Sequence, residues 1–222
     1  MPKLIFTTIG TSIFDWFFKT DEGKKLQRIY SNEIERKPVD TSESDVIKNL
    51  INTLKKSLSK NFDQLLNAKT ISAEIITLHI MLSRKILNLE TDKIILLHSD
   101  TLEGKFAAVL NQYLFINKVG FNSCELECLQ GVNGNNAATF NDAVNNNSID
   151  DLLNNFLTDS AHDNYDPLIC FSGGYKGIIP VLSNFAKQKR IEMYYLYEGS
   201  NDVLKYKLPL GSGRIQCEQI IS

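Results

Sequence analysis

Positive charge is not in excess in this sequence: 24 lysines and arginines stand against 26 aspartates and glutamates, for a formal net charge of -2. A broad basic face for duplex nucleic acid needs many Lys and Arg contacts to phosphates, so that partner class is excluded. A local pocket for a small anionic ligand is compatible with the balance. Histidine and cysteine are scarce. His79, His98 and His162 and Cys124, Cys128, Cys170 and Cys217 form no group with metal-ligand spacing, so neither a metal nor a cofactor is expected. The cysteines fall mostly in apolar strand-like segments and read as reduced core residues. No apolar run approaches the length of a membrane span, and no N-terminal stretch joins basic, apolar and small-residue regions. The chain therefore reads as cytoplasmic, with no membrane partner.

What is present is an alternation of apolar runs and helical stripes. Strand-like runs recur at Leu4 to Thr8, Ile94 to His98, Glu125 to Leu129, Leu168 to Phe171 and Met193 to Tyr197. Helical patterns between most of them predict an α/β fold with a mostly parallel central sheet, of Rossmann-like type, in a single domain over residues 1–222. Ser42 and Asp45 make a capping-box-like start, followed by Val46, Leu50, Leu54 and Leu58 at helical spacing. Ile75, Leu78, Leu82 and Ile86 give a second stripe. Residues 14–89 thus form a long, mainly helical excursion after the first strand. Further helices are expected around Phe106 to Leu114, around Phe140 to Phe156 with a break near Asn145 to Ser148, and around Ile178 to Phe185. Val203 to Leu208 and Arg214 to Ile220 suggest a C-terminal β-hairpin around Gly211-Ser212-Gly213.

Two of the strand-like runs stop at small-residue turns. One is Gly10-Thr11-Ser12, and the other is Ser172-Gly173-Gly174-Tyr175-Lys176. A strand that ends in such a turn before a helix presents backbone N–H groups where an anion can sit. In open α/β sheets the ligand crevice lies beyond the carboxyl ends of the strands, so two such turns imply one shared crevice, with Ser99, Asp100 and Thr101 on its rim. Glycines at 173 and 174 permit positive φ and close approach of a ligand. Lys176 can reach a phosphate as a point charge, or can be a solvated lysine beyond a tight turn. Ser12 can contact a ligand or simply cap a helix. Trp16, Phe17 and Phe18 can stack on a base or belong to the core. His98 can act as an acid or base, or be satisfied by a loop carbonyl. Neither a P-loop nor a dinucleotide fingerprint is present.

Taken in order, TTIGTS (Thr7 to Ser12), SAE (Ser72 to Glu74), LHSDTLEGKFAA (Leu97 to Ala108), LQG (Leu129 to Gly131), FSGGYKGIIP (Phe171 to Pro180) and YYLYEGS (Tyr194 to Ser200) resemble the stand-alone CARF-domain proteins of type III CRISPR systems. The resemblance is to the group whose archaeal members act as ring nucleases on cyclic tetra-adenylate. It implies a homodimer that binds one cyclic oligoadenylate across its two-fold axis, with Ser12 and Lys176 matching the residues associated with ring cleavage. Gly10, Thr11, Ser99, Asp100, Thr101, Ser172, Gly173, Gly174 and Tyr175 are then the candidate ligand contacts. One departure is Cys170, where related proteins often carry an asparagine under the turn.

The chemistry implied needs no metal. A ribose 2′-OH attacks the adjacent phosphorus in line and displaces the 5′-oxygen, leaving a 2′,3′-cyclic phosphate, while the protein enforces geometry and stabilises charge. The alternatives are a sensor or sink that holds the ring without cutting it, and another Rossmann-like nucleotide-binding enzyme.

Overall fold

Continuous apolar runs are what strands buried on both faces require, and those beginning at Leu4, Ile94, Leu168 and Met193 form strands here, whereas the run Phe106 to Leu110 lies in a helix. A computed structural model describes residues 1–35, 37–133, 136–159, 162, 164–197, 202–207 and 216–220. Its strands are β1 (Lys3–Thr8), β2 (Lys93–Ser99), β3 (Ser123–Leu129), β4 (Asp166–Cys170), β5 (Glu192–Tyr197), β6 (Asp202–Lys207) and β7 (Gln216–Ile220). They make one sheet in the order β3-β2-β1-β4-β5-β6-β7, parallel from β3 to β5, with β6 and β7 added antiparallel. The fold class is α/β, Rossmann-like, with a C-terminal antiparallel hairpin. Its turn at Gly211-Ser212-Gly213 lies outside the described residues.

The helices are α1 (Ile13–Lys19), α2 (Asp21–Glu33), α3 (Asp45–Asn67), α4 (Ala73–Ser83), α5 (Leu102–Leu114), α6 (Ala137–Asn145), α7 (Ser148–Thr158) and α8 (Ile179–Lys189). Successive strand residues point to opposite faces, so the two cores divide β1 between them. Ile5 packs with α1, α3, α4 and α5 residues such as Phe14, Leu54, Leu78 and Phe106. Leu4 and Phe6 pack on the other face with Leu153 of α7 and Leu182 and Phe185 of α8. The excursion after β1 therefore covers one face of the sheet, and α7 and α8 cover the other.

Two local expectations are corrected. Helix α3 is capped by Ser44, whose hydroxyl accepts from Ile47 N–H at 3.3 Å, and not by Ser42. The buried stripe then begins at Ile47, and Val46 is exposed. Of the four cysteines, all unbridged, Cys124 and Cys170 are buried and Cys128 is half-buried, whereas Cys217 on β7 is exposed. The break between α6 and α7 falls at Asn146 and Asn147, the latter in a left-handed conformation with φ 56°. Among the described residues, no helix is long and apolar enough to cross a membrane.

Candidate functional site

The sheet order places β1 between β2 and β4, so the chain leaves β1 toward one side and later returns on the other. Ligand crevices of open α/β sheets form at this point of reversal, beyond the carboxyl ends of the two strands. Register sets the ends level: Thr7 of β1 lies opposite Cys170 of β4. The turns that follow, at Gly10 and at Gly173-Gly174, therefore emerge side by side. A Cβ added to Gly10 would lie 2.8 Å from Gly174 N. Thr8 Oγ1 donates to the Gly173 carbonyl at 2.6 Å, tying the two turns directly. Gly174 has φ 86°, the left-handed region that other residues enter only at a cost. Gly173 does not have positive φ; its requirement is space, because a Cβ there would overlap the Glu74 carboxyl.

Helix α4 forms the support behind both turns. Glu74, in its first turn, accepts from Gly10 N–H at 2.5 Å. Thr77, one turn on, has its Oγ1 2.8 Å from Ser172 Oγ and 2.6 Å from the Ala73 carbonyl. Leu196 N–H donates to the same Ser172 oxygen at 2.9 Å. Each hydroxyl has one proton, so the bonds run in one direction: Leu196 N–H to Ser172, Ser172 O–H to Thr77, and Thr77 O–H to Ala73. Cys170 contributes no polar contact under the turn; its Sγ lies 3.8 Å from Met81 Sδ within the core. Burial pushes its thiol well above the ordinary range, so it stays a neutral packing group. Thr77 supplies polar support under this turn.

In front of the turns lies a cavity of about 660 Å³. Gly10, Thr11, Ser12, Ser172, Gly173, Gly174 and Lys176 all line it, so the structure brings together most of the residues expected from the sequence. Ser12 is exposed, and its side chain makes no capping bond to α1. Lys176 opens the 3-10 turn Lys176–Ile178 and holds its ammonium 5.6 Å from the centre of the Tyr195 ring. Two expected donors are already engaged, Gly10 N–H by Glu74 and the Ser172 hydroxyl by Thr77.

The remaining candidates stand elsewhere. Thr101 caps α5 through Gly104 N–H at 3.0 Å, and Ser99 Oγ lies 3.0 Å from the Thr101 hydroxyl. Asp100 accepts from Gly131 N–H at 3.1 Å, bracing the connection after β3. None of the three lines the cavity. His98 is buried with its Nδ1 2.9 Å from the Ser99 carbonyl, and burial holds its pKa below the usual imidazole value. Tyr175 packs edge-on against Phe140 with ring centres 5.3 Å apart.

The contribution of the excursion is not visible in the sequence. Lys19 from the end of α1 and Lys69 from the α3–α4 connection line the cavity with Lys176, and Asp15 is the carboxylate there, among the described residues. Lys69 has φ 52° because it closes the C-terminus of α3, where Thr70 N–H reaches back to the Leu65 carbonyl. Of the aromatic run, Phe17 is fully buried, whereas half-buried Trp16 lines the cavity. The first turn of α4 also borders it, through Ser72 and Ala73, adding the partial positive charge of a helix N-terminus. A chain of net charge -2 thus concentrates positive charge at one concavity, which suits an anionic ligand bearing an aromatic base. Among the described residues, no three His, Cys, Asp or Glu side chains are grouped as a metal site.

A family model described as CRISPR-associated protein (Cas_APE2256) matches residues 69–210, more than half of the chain. The matched segment includes α4, the β4 turn and Lys176, and begins after the β1 turn. No curated protein matches the chain.

Proposed function

This chain belongs to that CRISPR-associated family, and from that premise we propose that its cavity binds cyclic oligoadenylate, most readily cyclic tetra-adenylate, and cleaves it to linear products, ending a type III CRISPR signal. The observation that carries the reading is the meeting of Ser12 and Lys176 in one cavity at the β1/β4 reversal, with Trp16, Lys19 and Lys69 around them. Phosphates answer the lysines, and an adenine answers the indole.

Size argues for a homodimer. A cavity of about 660 Å³ is on the scale of one drug-sized ligand, which is part of a four-nucleotide ring. A two-fold axis sets two such cavities face to face, matching a ring of identical units that itself has two-fold symmetry.

In the reaction, a ribose 2′-OH attacks the neighbouring phosphorus and the O5′ bond breaks. The products carry a 2′,3′-cyclic phosphate and a 5′-hydroxyl; the proton lost by the 2′-OH balances the one gained by the 5′-oxygen. Lys176 offsets charge growing on the phosphoryl oxygens, a contribution worth roughly 10²–10³ in rate for a single well-placed donor. Ser12, unengaged by α1, aligns the ribose or the phosphate for in-line attack.

A second reading, a sensor or sink that binds the ring intact, is favoured by one feature: no imidazole lines the cavity among the described residues. Incubation with cyclic tetra- and hexa-adenylate in EDTA, with separation of products, tests both. Linear products support the nuclease; tight binding with intact ring supports the sink; absence of binding overturns both.

A further inference from the structure

The Glu74 side chain is fully buried, and its surroundings are unusual for a carboxyl group. One oxygen takes the Gly10 N–H at 2.5 Å, and the other is buried with no hydrogen-bond partner. The same carboxyl fills the space over Gly173 that a Cβ would need. It therefore touches both turns, one through a hydrogen bond and the other through a contact that only glycine permits. We propose that Glu74 is the positioning residue that sets the separation of the β1 and β4 turns, and thereby the separation of Ser12 from Lys176, a proposal that rests on the cyclic-oligoadenylate reading for its consequence in catalysis.

The geometry also assigns the form in which it acts. A carboxylate with one oxygen stranded in the interior is costly, whereas a carboxylic acid carries no net charge to desolvate. Burial raises the Glu74 pKa above the ordinary carboxylate range, against a lowering pull led by the Gly10 N–H bond and including the Lys176 ammonium. Lys176, on the turn after β4, is the charged group acting on it; Asp15 and Lys19 of α1 and Lys69 of the α3–α4 connection border the same cavity. A ligand phosphate at Lys176 cancels that pull, so ring binding favours the protonated strut further.

A carboxyl whose folded pKa is raised contributes stability that is fully present below its unfolded value and is lost as pH rises toward the folded value. The test is urea unfolding of the full chain from pH 4 to 8, wild type against Glu74→Gln. Glutamine keeps an oxygen for Gly10 and cannot ionise. The ratio of unfolding constants, wild type over Glu74→Gln, should rise about tenfold per pH unit within the window between the two pKa values, then level off. Groups distant from Glu74 titrate in both proteins and cancel in the ratio. Parallel profiles would overturn the protonated strut.

Ring binding and cleavage supply the second readout. Glu74→Gln should retain both activities, and Glu74→Ala should lose cleavage at least tenfold while remaining folded; wild-type cleavage by folded Glu74→Ala would overturn the positioning role. If Glu74→Ala does not fold, Glu74→Asp replaces it. That shortened acid should lose cleavage, and full activity in it would likewise overturn the positioning role. If no variant, wild type included, binds the ring, the functional reading fails while the pH comparison still decides the strut.

Discussion

Thr77 Oγ1 and Ser172 Oγ lie 2.8 Å apart, joining helix α4 to the turn after β4. The bond is internal to a one-way chain that also holds Leu196 N–H of β5 and the Ala73 carbonyl. Removing one member leaves a buried polar group stranded, so Thr77→Val should cost about 1–3 kcal/mol in urea unfolding. Because both residues serve one network, Thr77→Val with Ser172→Ala should cost less than the sum of the single changes. Strict additivity would show that the hydroxyls act separately.

Gly174, at φ 86°, has Ile9 O and Thr8 Cβ each 3.2 Å from where a Cβ would sit. Gly174→Ala therefore adds both strain and crowding and should destabilise by at least about 1 kcal/mol. Gly173→Ala has a different origin, collision with the Glu74 carboxyl, and should be less harmful in a Glu74→Ala background. Unfolding of the double and single variants measures the coupling.

The strands were legible in the sequence because β1, β2 and β4 lie inside the parallel part of the sheet and β5 borders it, so burial on both faces leaves a nearly unbroken apolar run. The turns at Gly10 and Gly173 were legible as small-residue stops, and their convergence followed from the general rule for open sheets. Side-chain destinations were not. Glu74 reads in sequence as an ordinary acidic residue in the first turn of a helix, and only the packing of α4 beneath both turns buries it. Lys19 and Lys69 belong to helix ends whose positions depend on how the excursion docks on the sheet. Ser42 and Ser44 offer two competing caps two residues apart, and burial of Ile47 selects the second. Asp100 and Thr101 have polar side chains at a strand end, yet backbone N–H groups claim both, Gly104 from the adjoining helix for Thr101 and distant Gly131 for Asp100.

Trp16 is half-buried at the cavity wall while its neighbour Phe17 is in the core. If it stacks on an adenine, Trp16→Ala should weaken ring binding by about 1–3 kcal/mol in calorimetry. The thermal midpoint should change far less than in Phe17→Ala. Unchanged ring affinity would remove Trp16 from the binding surface.

Lys176 begins the turn before α8 and lines the cavity with its ammonium near Tyr195. If it acts mainly on charge that develops during the proposed reaction, it should be worth more to turnover than to binding. Lys176→Ala should cut single-turnover cleavage by roughly 10²–10³ and leave most of the affinity in place. Equal losses in both would reduce it to a binding residue.

In the proposed reaction the ring itself supplies the nucleophile, and this cavity supplies only alignment and charge. The most direct test is single-turnover cleavage of cyclic tetra-adenylate in EDTA, compared with a ring in which hydrogen replaces every 2′-hydroxyl. Linear products ending in 2′,3′-cyclic phosphate are expected from the natural ring, and intact 2′-deoxy ring at the same enzyme excess. Cleavage of the 2′-deoxy ring, or a natural ring left whole, would contradict this mechanism.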